Sequence, residues 1–410
     1  FMPYTMYIHV KDFETTNGFK YVSAGKGSIN YKRIFSDIKK TISTSNFKFP
    51  YISIETHVKE NKISATKESI DYLRTIDTQS RIGYVLIGAG RVVRKPIEAF
   101  KIDSNSELRG VCDIDSKKCK QFAKDNDCKA YYSFEEVLND PTVQVVTICT
   151  PHDTHVNLVN RVVESGKKAL CEKPLFISSK DAIKYSKEKQ FNNNAFVVFQ
   201  YNYNKPVRTL YELVKKGGLG EIKSVSLNLR WWRDDEYLSD WHGSMKRSMG
   251  ILFIQAIHNL QILGNLVPLK IDNVHTIAKK TRRLENKDAY DDILYSIVRF
   301  KNGVIANIEV NISSINDNIE SSIFVTGTKG SIKIGGKSLN EIQFNSCGSE
   351  LDVSEKYNTK DLYGKGHVEL IHDLSDFLLN GEEKSTSYLV RPNQIVDLIK
   401  FMEDIYQALD

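Results

Sequence analysis

The sequence predicts an α/β chain: a parallel sheet covered by helices, then an α/β region with a large, open, mostly antiparallel sheet, preceded by a short strand–helix segment. Three observations carry this. From Arg81 onward, mostly apolar strand-length runs alternate with helical periodicity, the βαβ pattern of a sheet buried on both faces. After Gly220 the runs lengthen, alternate in polarity and are joined by short turns such as Lys301-Asn302-Gly303, as in antiparallel sheets. A Gly88-Ala89-Gly90 turn directly follows the first apolar strand of the βαβ region.

Composition narrows the function classes. A chain of 410 residues accommodates two or three domains, and 41% hydrophobic with 26% charged residues is ordinary for a folded globular protein. The net charge of +6 is spread thinly; its one dense cluster, Lys279-Lys280-Thr281-Arg282-Arg283, is short and reads as a solvated strand end, so no nucleic-acid partner is expected. Six cysteines without a Cys-x-x-Cys pair argue against a zinc module or disulfide scaffold and for a reduced, cytoplasmic setting. No run of about 18 apolar residues suggests a membrane partner, and residues 1–10 lack the charged start and apolar stretch of a signal peptide. The chain opens on Phe1 inside a strand-like run, which suggests the tail of a longer element.

In order along the chain, residues 4–10 read as a strand, 31–42 as a helix (Ile34, Phe35, Ile38 and Ile42 on one face), 51–58 as a strand and 65–76 as a helix. The polar stretch 76–80 is the expected boundary, giving segments 1–79, 80–202 and 203–410. Strands are then expected at 82–87, 108–112, 143–149, 168–171 and 195–199, with helices that include 155–164 and 179–187. Alternating strands follow at 223–231, 271–279, 293–300, 304–310 and 321–326, and helices at 368–379 and 394–408 close the chain.

The Gly-x-Gly turn lets the backbone approach a pyrophosphate, whose charge the following helix N-terminus meets. Gly88, Ala89, Gly90, Arg91 and Val92 are therefore candidate cofactor residues, although the fingerprint's third glycine is replaced by Val93. The next strand ends in Asp113, which can accept hydrogen bonds from the ribose hydroxyls and would repel a 2′-phosphate. NAD is accordingly expected over NADP.

Two stretches carry candidate chemistry. Glu172-Lys173-Pro174 ends a predicted parallel strand, where open α/β sheets bind ligands; a solvated ion pair is the plain structural alternative. His258 falls in a predicted helix over 250–259, with Ile254 on its face and Gln255 and Asn259 on the adjacent one; a satisfied core histidine is the alternative there.

The run Thr150-Pro151, His155, Glu164-Ser165-Gly166-Lys167, Glu172-Lys173-Pro174 resembles the Gfo/Idh/MocA oxidoreductases. Later elements agree: Gly217-Gly218-Leu219-Gly220, His258, Phe300-Lys301-Asn302-Gly303, Gly327-Thr328-Lys329-Gly330 and Gly366-His367. The resemblance implies a Rossmann domain followed by an α/β domain whose open sheet carries the sugar site and the interface of a homo-oligomer, a dimer or tetramer. It implies that Thr150, Pro151, His155, Glu172 and Lys173 contact the cofactor, that Lys173 lies by the reacting hydroxyl, and that His258 is the general acid/base. An imidazole that accepts the proton and an ammonium that faces the developing oxyanion suit oxidation of an alcohol.

Within the family, Trp231-Trp232-Arg233, Glu236-Tyr237, Trp241-His242-Gly243 and Gln255 to Asn259 look most like the bacterial nucleotide-sugar 3-dehydrogenases, which act on UDP-N-acetylglucosaminuronic acid in polysaccharide biosynthesis. Arg233 and Gln255 become substrate candidates, Arg233 suiting an acidic sugar. The chain departs from the family at Ile254, where Asp or Asn is usual; at Ser248-Met249-Gly250, in place of three glycines; at Tyr201-Asn202, without the usual Arg; and at His242, where Arg is expected. A catalytically impaired NAD- or sugar-binding homologue is thus the alternative expectation.

Residues 8–12, 25–31 and 53–55 resemble the C-terminal quarter of a xylose-isomerase-like sugar isomerase/epimerase. By that resemblance the segment is a partial (β/α) barrel remnant in which His9 and Glu55 are vestigial metal ligands. A full barrel runs to about 250 residues, so no functional metal is expected here. A fused isomerase–dehydrogenase, of which this is the latter part, is the corresponding expectation for the natural protein.

Overall fold

The strand that begins the βαβ region, β5 (Ile82–Ile87), is buried at all six positions, which only the interior of a helix-covered sheet allows. In the computed structural model it lies in a six-stranded sheet ordered β10-β9-β8-β5-β6-β7, parallel throughout, formed with β6 (Ser106–Cys112), β7 (Lys129–Tyr131), β8 (Val145–Ile148), β9 (Lys168–Cys171) and β10 (Ala195–Val197). The structure describes residues 7–16, 18–31, 33–35, 38, 51–76, 81–282, 288–314, 316–348, 366–381, 383–384 and 387–409. Two compact units, Phe1–Ser80 and Arg81–Asp410, are distinguished.

In the first unit, β1 (Tyr7–Val10) pairs in parallel with β4 (Tyr51–Ile54), and β2 (Asp12–Glu14) forms a hairpin with β3 (Lys20–Val22). The strand expected over 51–58 stops at Ile54, and helix α1 (Lys62–Ile76) follows. Asp12 is buried because its carboxylate accepts the backbone N–H groups of Phe13, Gly25, Gly27 and Ile29, which folds the loop around it. Of the helix expected over 31–42, residues 31, 33–35 and 38 are helical; residues 1–6, Ile42, 77–80 and Arg283 lie outside the described residues.

The second unit holds both predicted regions. Between the parallel strands run α2 (Arg94–Ile102), α3 (Ser116–Asp125), α4 (Phe134–Asn139), α5 (His155–Glu164), α6 (Ser179–Ser186) and α7 (Lys189–Asn194). The side chains of Asp115, Ser133 and Ser178 accept the first free amides of α3, α4 and α6. After α8 (Lys205–Lys215), a seven-stranded sheet forms in the order β12-β13-β14-β11-β15-β16-β17. Its strands are β11 (Ile222–Arg230), β12 (Ile271–Lys279), β13 (Ile293–Phe300), β14 (Ile305–Asn311), β15 (Glu320–Gly327), β16 (Ser331–Gly335) and β17 (Glu341–Asn345). All pairs are antiparallel except β11 with β14. Leu294, Ser296, Val298 and Phe300 point inward while Tyr295, Ile297 and Arg299 point out, the alternation of a sheet covered on one face.

Strands β7, β16 and β17 were not expected, and two further departures bear on the site. The helix expected over 250–259 is α-helical at Gly250 and Ile251, coils as a π turn over Leu252–Ala256, and is α-helical again in the next helix, Ile257–Leu266. Short helices α9 (Asp235–Ser239) and α10 (Met245–Ser248) precede it, so Ile257–Leu266 is α11. The stretch Met245–Leu266 is long and apolar enough to cross a membrane by length and composition alone, yet most of it is packed inside the core. Helix α12 (Gly366–Asn380), which the sequence groups with the open-sheet region, packs against α2 and β5 of the parallel sheet. Tyr84 Oη and Ser375 Oγ hydrogen-bond at 2.8 Å in that contact. Helix α13 (Val396–Gln407) packs on α6, α11 and β12.

Candidate active site

The turn after β5 is shaped by two unlike glycines. Gly88 takes a left-handed φ of +91°, and a Cβ there would lie 2.8 Å from the Cys149 carbonyl oxygen, so only glycine fits. Gly90 has open space where a Cβ would project, and it faces the cavity. Val93, at the fingerprint's third glycine, is buried against Leu86, Ile97 and Val111, and α2 starts one residue later.

Asp113 follows β6 and meets the turn directly. Its Oδ2 accepts the Ala89 N–H at 2.6 Å and its Oδ1 the Asp115 N–H at 2.8 Å. Ala89 is thereby turned into the wall, while Asp113 lines the cavity with lone pairs to spare. The open face at Gly90, the helix start behind it and the acid on the neighbouring strand fit a dinucleotide, with Arg91 and Val92 beside them on the cavity wall.

That cavity, of about 1370 Å³, extends from the turn to the open sheet. Thr150, Pro151, His155, Glu172, Lys173, Arg233, Gln255 and His258 all line it, although they come from strand ends and helices far apart in sequence. His155 braces two strand-end loops: Nε2 lies 2.7 Å from the Thr150 carbonyl and Nδ1 2.8 Å from that of Pro174. Burial lowers its pKa, against the raising effect of those carbonyls.

Glu172 and Lys173 do not form the solvated ion pair that a strand end would suggest. Glu172 is buried; Oε2 accepts the Lys173 backbone N–H at 3.3 Å and Oε1 lies 3.7 Å from His367 Nε2. Lys173 Nζ instead donates to the Ile254 carbonyl at 2.7 Å. Burial lowers the Lys173 pKa to about 8, Glu172 opposing and Arg233 assisting.

His258 is not a satisfied core histidine. Nε2 lies 3.4 Å from Gln200 Nε2, the ring packs between Phe199 and Tyr201, and buried Nδ1 has no hydrogen-bond partner among the described residues. Burial, then Lys173 and His367, pushes its pKa well below the usual imidazole value, so the ring is neutral at pH 7. Also on the cavity wall, the Arg233 guanidinium lies over the Trp231 and Tyr237 rings and donates to Asn318 Oδ1 at 3.1 Å. Gln255 Nε2 donates to Tyr237 Oη at 3.0 Å.

Sequence reasoning did not single out Gln200 or His152 as site residues. Gln200 is buried beside His258, and His152 packs edge-on against Trp241, with Nδ1 3.3 Å from the Ser248 carbonyl. His152 stands two residues past the quoted Thr150, a strand-end position that could have drawn attention to it. His367 reaches Glu172 because Gly366 passes against the Gln200 backbone, where a Cβ would come within 2.2 Å of the carbonyl.

In the first unit the structure brings His9 and Glu55 together, Nδ1 to Oε1 at 3.1 Å. The other Glu55 oxygen is taken by Lys11 Nζ at 2.9 Å, and the pair is largely exposed. Among the described residues no group of three or more His, Cys, Asp or Glu side chains is arranged to hold a metal ion.

Two family models match the second unit: an oxidoreductase family with an NAD-binding Rossmann fold over residues 82–200, and the GFO/IDH/MocA C-terminal domain over 207–333. Among relatives, 1-carboxy-3-chloro-3,4-dihydroxycyclohexa-1,5-diene dehydrogenase of Comamonas testosteroni is 27% identical over 239 residues, covering 56% of this chain and 57% of its own length. Glucose-6-phosphate 3-dehydrogenase of Bacillus subtilis is 26% identical over 263 residues, 60% of this chain and 73% of its own. Among solved structures, the WlbA dehydrogenase of Bordetella pertussis, in complex with NADH and UDP-GlcNAcA, shares the fold with a TM-score of 0.69 at 22% identity, over 80% of this chain and 95% of that one. The chain belongs to the Gfo/Idh/MocA oxidoreductases, with an NAD-binding Rossmann domain joined to that family's C-terminal domain.

Proposed function

We propose that the chain oxidises a hydroxyl-bearing carbon of a sugar or nucleotide sugar. The observation that carries this reading is that Lys173 and His258 share one cavity with the Gly88–Gly90 turn and Asp113. NAD, when bound, supplies the hydride acceptor. The chain's own residues handle the proton: a ring nitrogen of neutral His258 takes it from the hydroxyl, and the Lys173 ammonium faces the oxygen as negative charge develops. Lys173→Met should lower kcat/KM by roughly 10²–10³ while leaving NADH binding intact in a fluorescence titration. Turnover unchanged in that variant would remove Lys173 from the mechanism.

The finer substrate reading is an acidic nucleotide sugar of the UDP-N-acetylglucosaminuronate type, in polysaccharide biosynthesis. Arg233 on the cavity wall supports it, as does the likeness in fold to a dehydrogenase solved with UDP-GlcNAcA. A panel of UDP-sugars, free sugars and inositols, assayed for NADH formation, tests it. The unpartnered Nδ1 of His258 favours a second reading, an impaired homologue that binds NAD without turnover on any of these.

We assign residues 80–202 to the cofactor domain and 203–410 to substrate and oligomer contacts. A homodimer or tetramer is supported by Ile277, Tyr295, Ile297 and Ile305, which are exposed on the outer face of the open sheet. Six free cysteines support a cytoplasmic location. Residues 1–79 are assigned as a sugar-isomerase-like remnant, supported by the parallel β1–β4 pair and the His9–Glu55 contact.

A further inference from the structure

The segment leading to His258 is irregular for reasons visible around it. Met249 and Gly250 both take left-handed backbone, with φ of 61° and 80°. The Leu252 N–H, in the first turn after that break, donates to Tyr406 Oη at 3.0 Å. The following residues, Leu252–Ala256, coil as a π turn, a geometry that displaces backbone carbonyls from their regular partners. Ile254 lies in that turn, and its carbonyl oxygen accepts from Lys173 Nζ at 2.7 Å across 81 residues of sequence. Glu172 meets Lys173 at its backbone N–H, and among the described residues Nζ forms no ion pair.

We propose that Ile254 is the positioning residue for Lys173 and acts through its main chain: the π turn presents the carbonyl that anchors the ammonium, so the Ile254 side chain is dispensable for the lysine's placement. The proposal rests on the reading of Lys173 as the charge beside the reacting oxygen. A neutral acceptor fixes Nζ without cancelling its charge, and it uses one of three N–H donors, leaving two for a ligand. A carboxylate in the same place would hold the ammonium and compete with the developing oxyanion. The groups around Lys173 are Glu172 beside it, Arg233 after β11, His152 after β8, His242 after α9 and His258 on α11. Glu172 raises the lysine's pKa and Arg233 lowers it, and burial outweighs both, leaving it near 8.

The test is the pH dependence of kcat/KM on the best substrate of the panel. Ile254→Ala should leave the alkaline limb of kcat/KM near pH 8. Ile254→Asp should move that limb up by about one pH unit or more, because an anion beside the ammonium favours its charged form. Ile254→Val, which keeps most of the volume, carries the same expectation as Ala and serves if Ala fails to bind NADH. A limb that moves in the Ala or Val variant, turnover lost there with NADH binding intact, or a limb unmoved in the Asp variant overturns the proposal. Lys173→Met separates the two readings: turnover retained in it overturns the assigned role of Lys173 itself, whereas turnover lost in it leaves that role standing when the Ile254 series fails.

Discussion

Gly88 and Gly90 sit two residues apart and answer different demands. At Gly88 a side chain meets both a left-handed φ and a carbonyl oxygen at 2.8 Å, whereas at Gly90 it meets open cavity. Gly88→Ala should therefore cost stability, about 1–3 kcal/mol, and lower the melting temperature with or without NAD. Gly90→Ala should leave the apo melting temperature unchanged and weaken NAD binding about tenfold or more, since the added methyl occupies ligand space. Thermal unfolding and NADH fluorescence titration of the two variants check this. An apo melting temperature lowered equally by both would mean that the turn is packed at Gly90 as well, and the cofactor would have to approach elsewhere.

At the scale of elements, α12 shows how a helix from the C-terminal region is held against the parallel sheet. His372 Nδ1 lies 2.8 Å from Asp103 Oδ1 at the end of α2, and that hydrogen bond, outweighing desolvation, raises the His372 pKa above its usual value. A raised folded-state pKa contributes stability that is complete below the unfolded value near 6.5 and is lost as pH rises through the folded value. His372 is half exposed, so solvent screens the pair and about 0.5 kcal/mol is expected. The stability difference between the wild type and His372→Ala, from urea melts, should be largest near about pH 6 and shrink toward about pH 9. A difference independent of pH would assign the contact to packing. Elements of this kind were legible where one strand or helix carries its own signal. β5, β9 and α5 fall at their predicted bounds because apolar runs and 3.6-residue spacing report burial locally. The π turn was not legible, since no residue type marks it and the Tyr406 hydroxyl that accepts the Leu252 N–H stands 154 residues away. Lys173 was readable as a candidate, but its anchor was not, because a main-chain carbonyl leaves no trace in residue type. β7 was missed because only one of its three residues is buried.

At the scale of the whole molecule, the two units keep separate cores. Val10, Ala24, Tyr31, Phe35, Ile38 and Leu73 cluster within the first unit, and the caged carboxylate of Asp12 is satisfied there by its own loop. The cavity is lined by residues from Ile87 to His367, all within Arg81–Asp410, and every residue given a cofactor, catalytic or substrate role lies in that unit. A unit of about 330 residues exceeds the size at which one chain segment buries enough surface to fold alone. A chain beginning at Arg81 should therefore bind NADH as the full chain does and keep kcat/KM within about twofold on the same substrate. Saturating NAD should raise the melting temperature of both by the same amount, because a ligand stabilises only the unit that binds it; at about 100-fold over Kd that is about 2.7 kcal/mol. NADH binding retained with turnover lost would instead make residues 1–80 part of substrate handling, and the search for the sugar would then have to start from His9, Lys11 and Glu55.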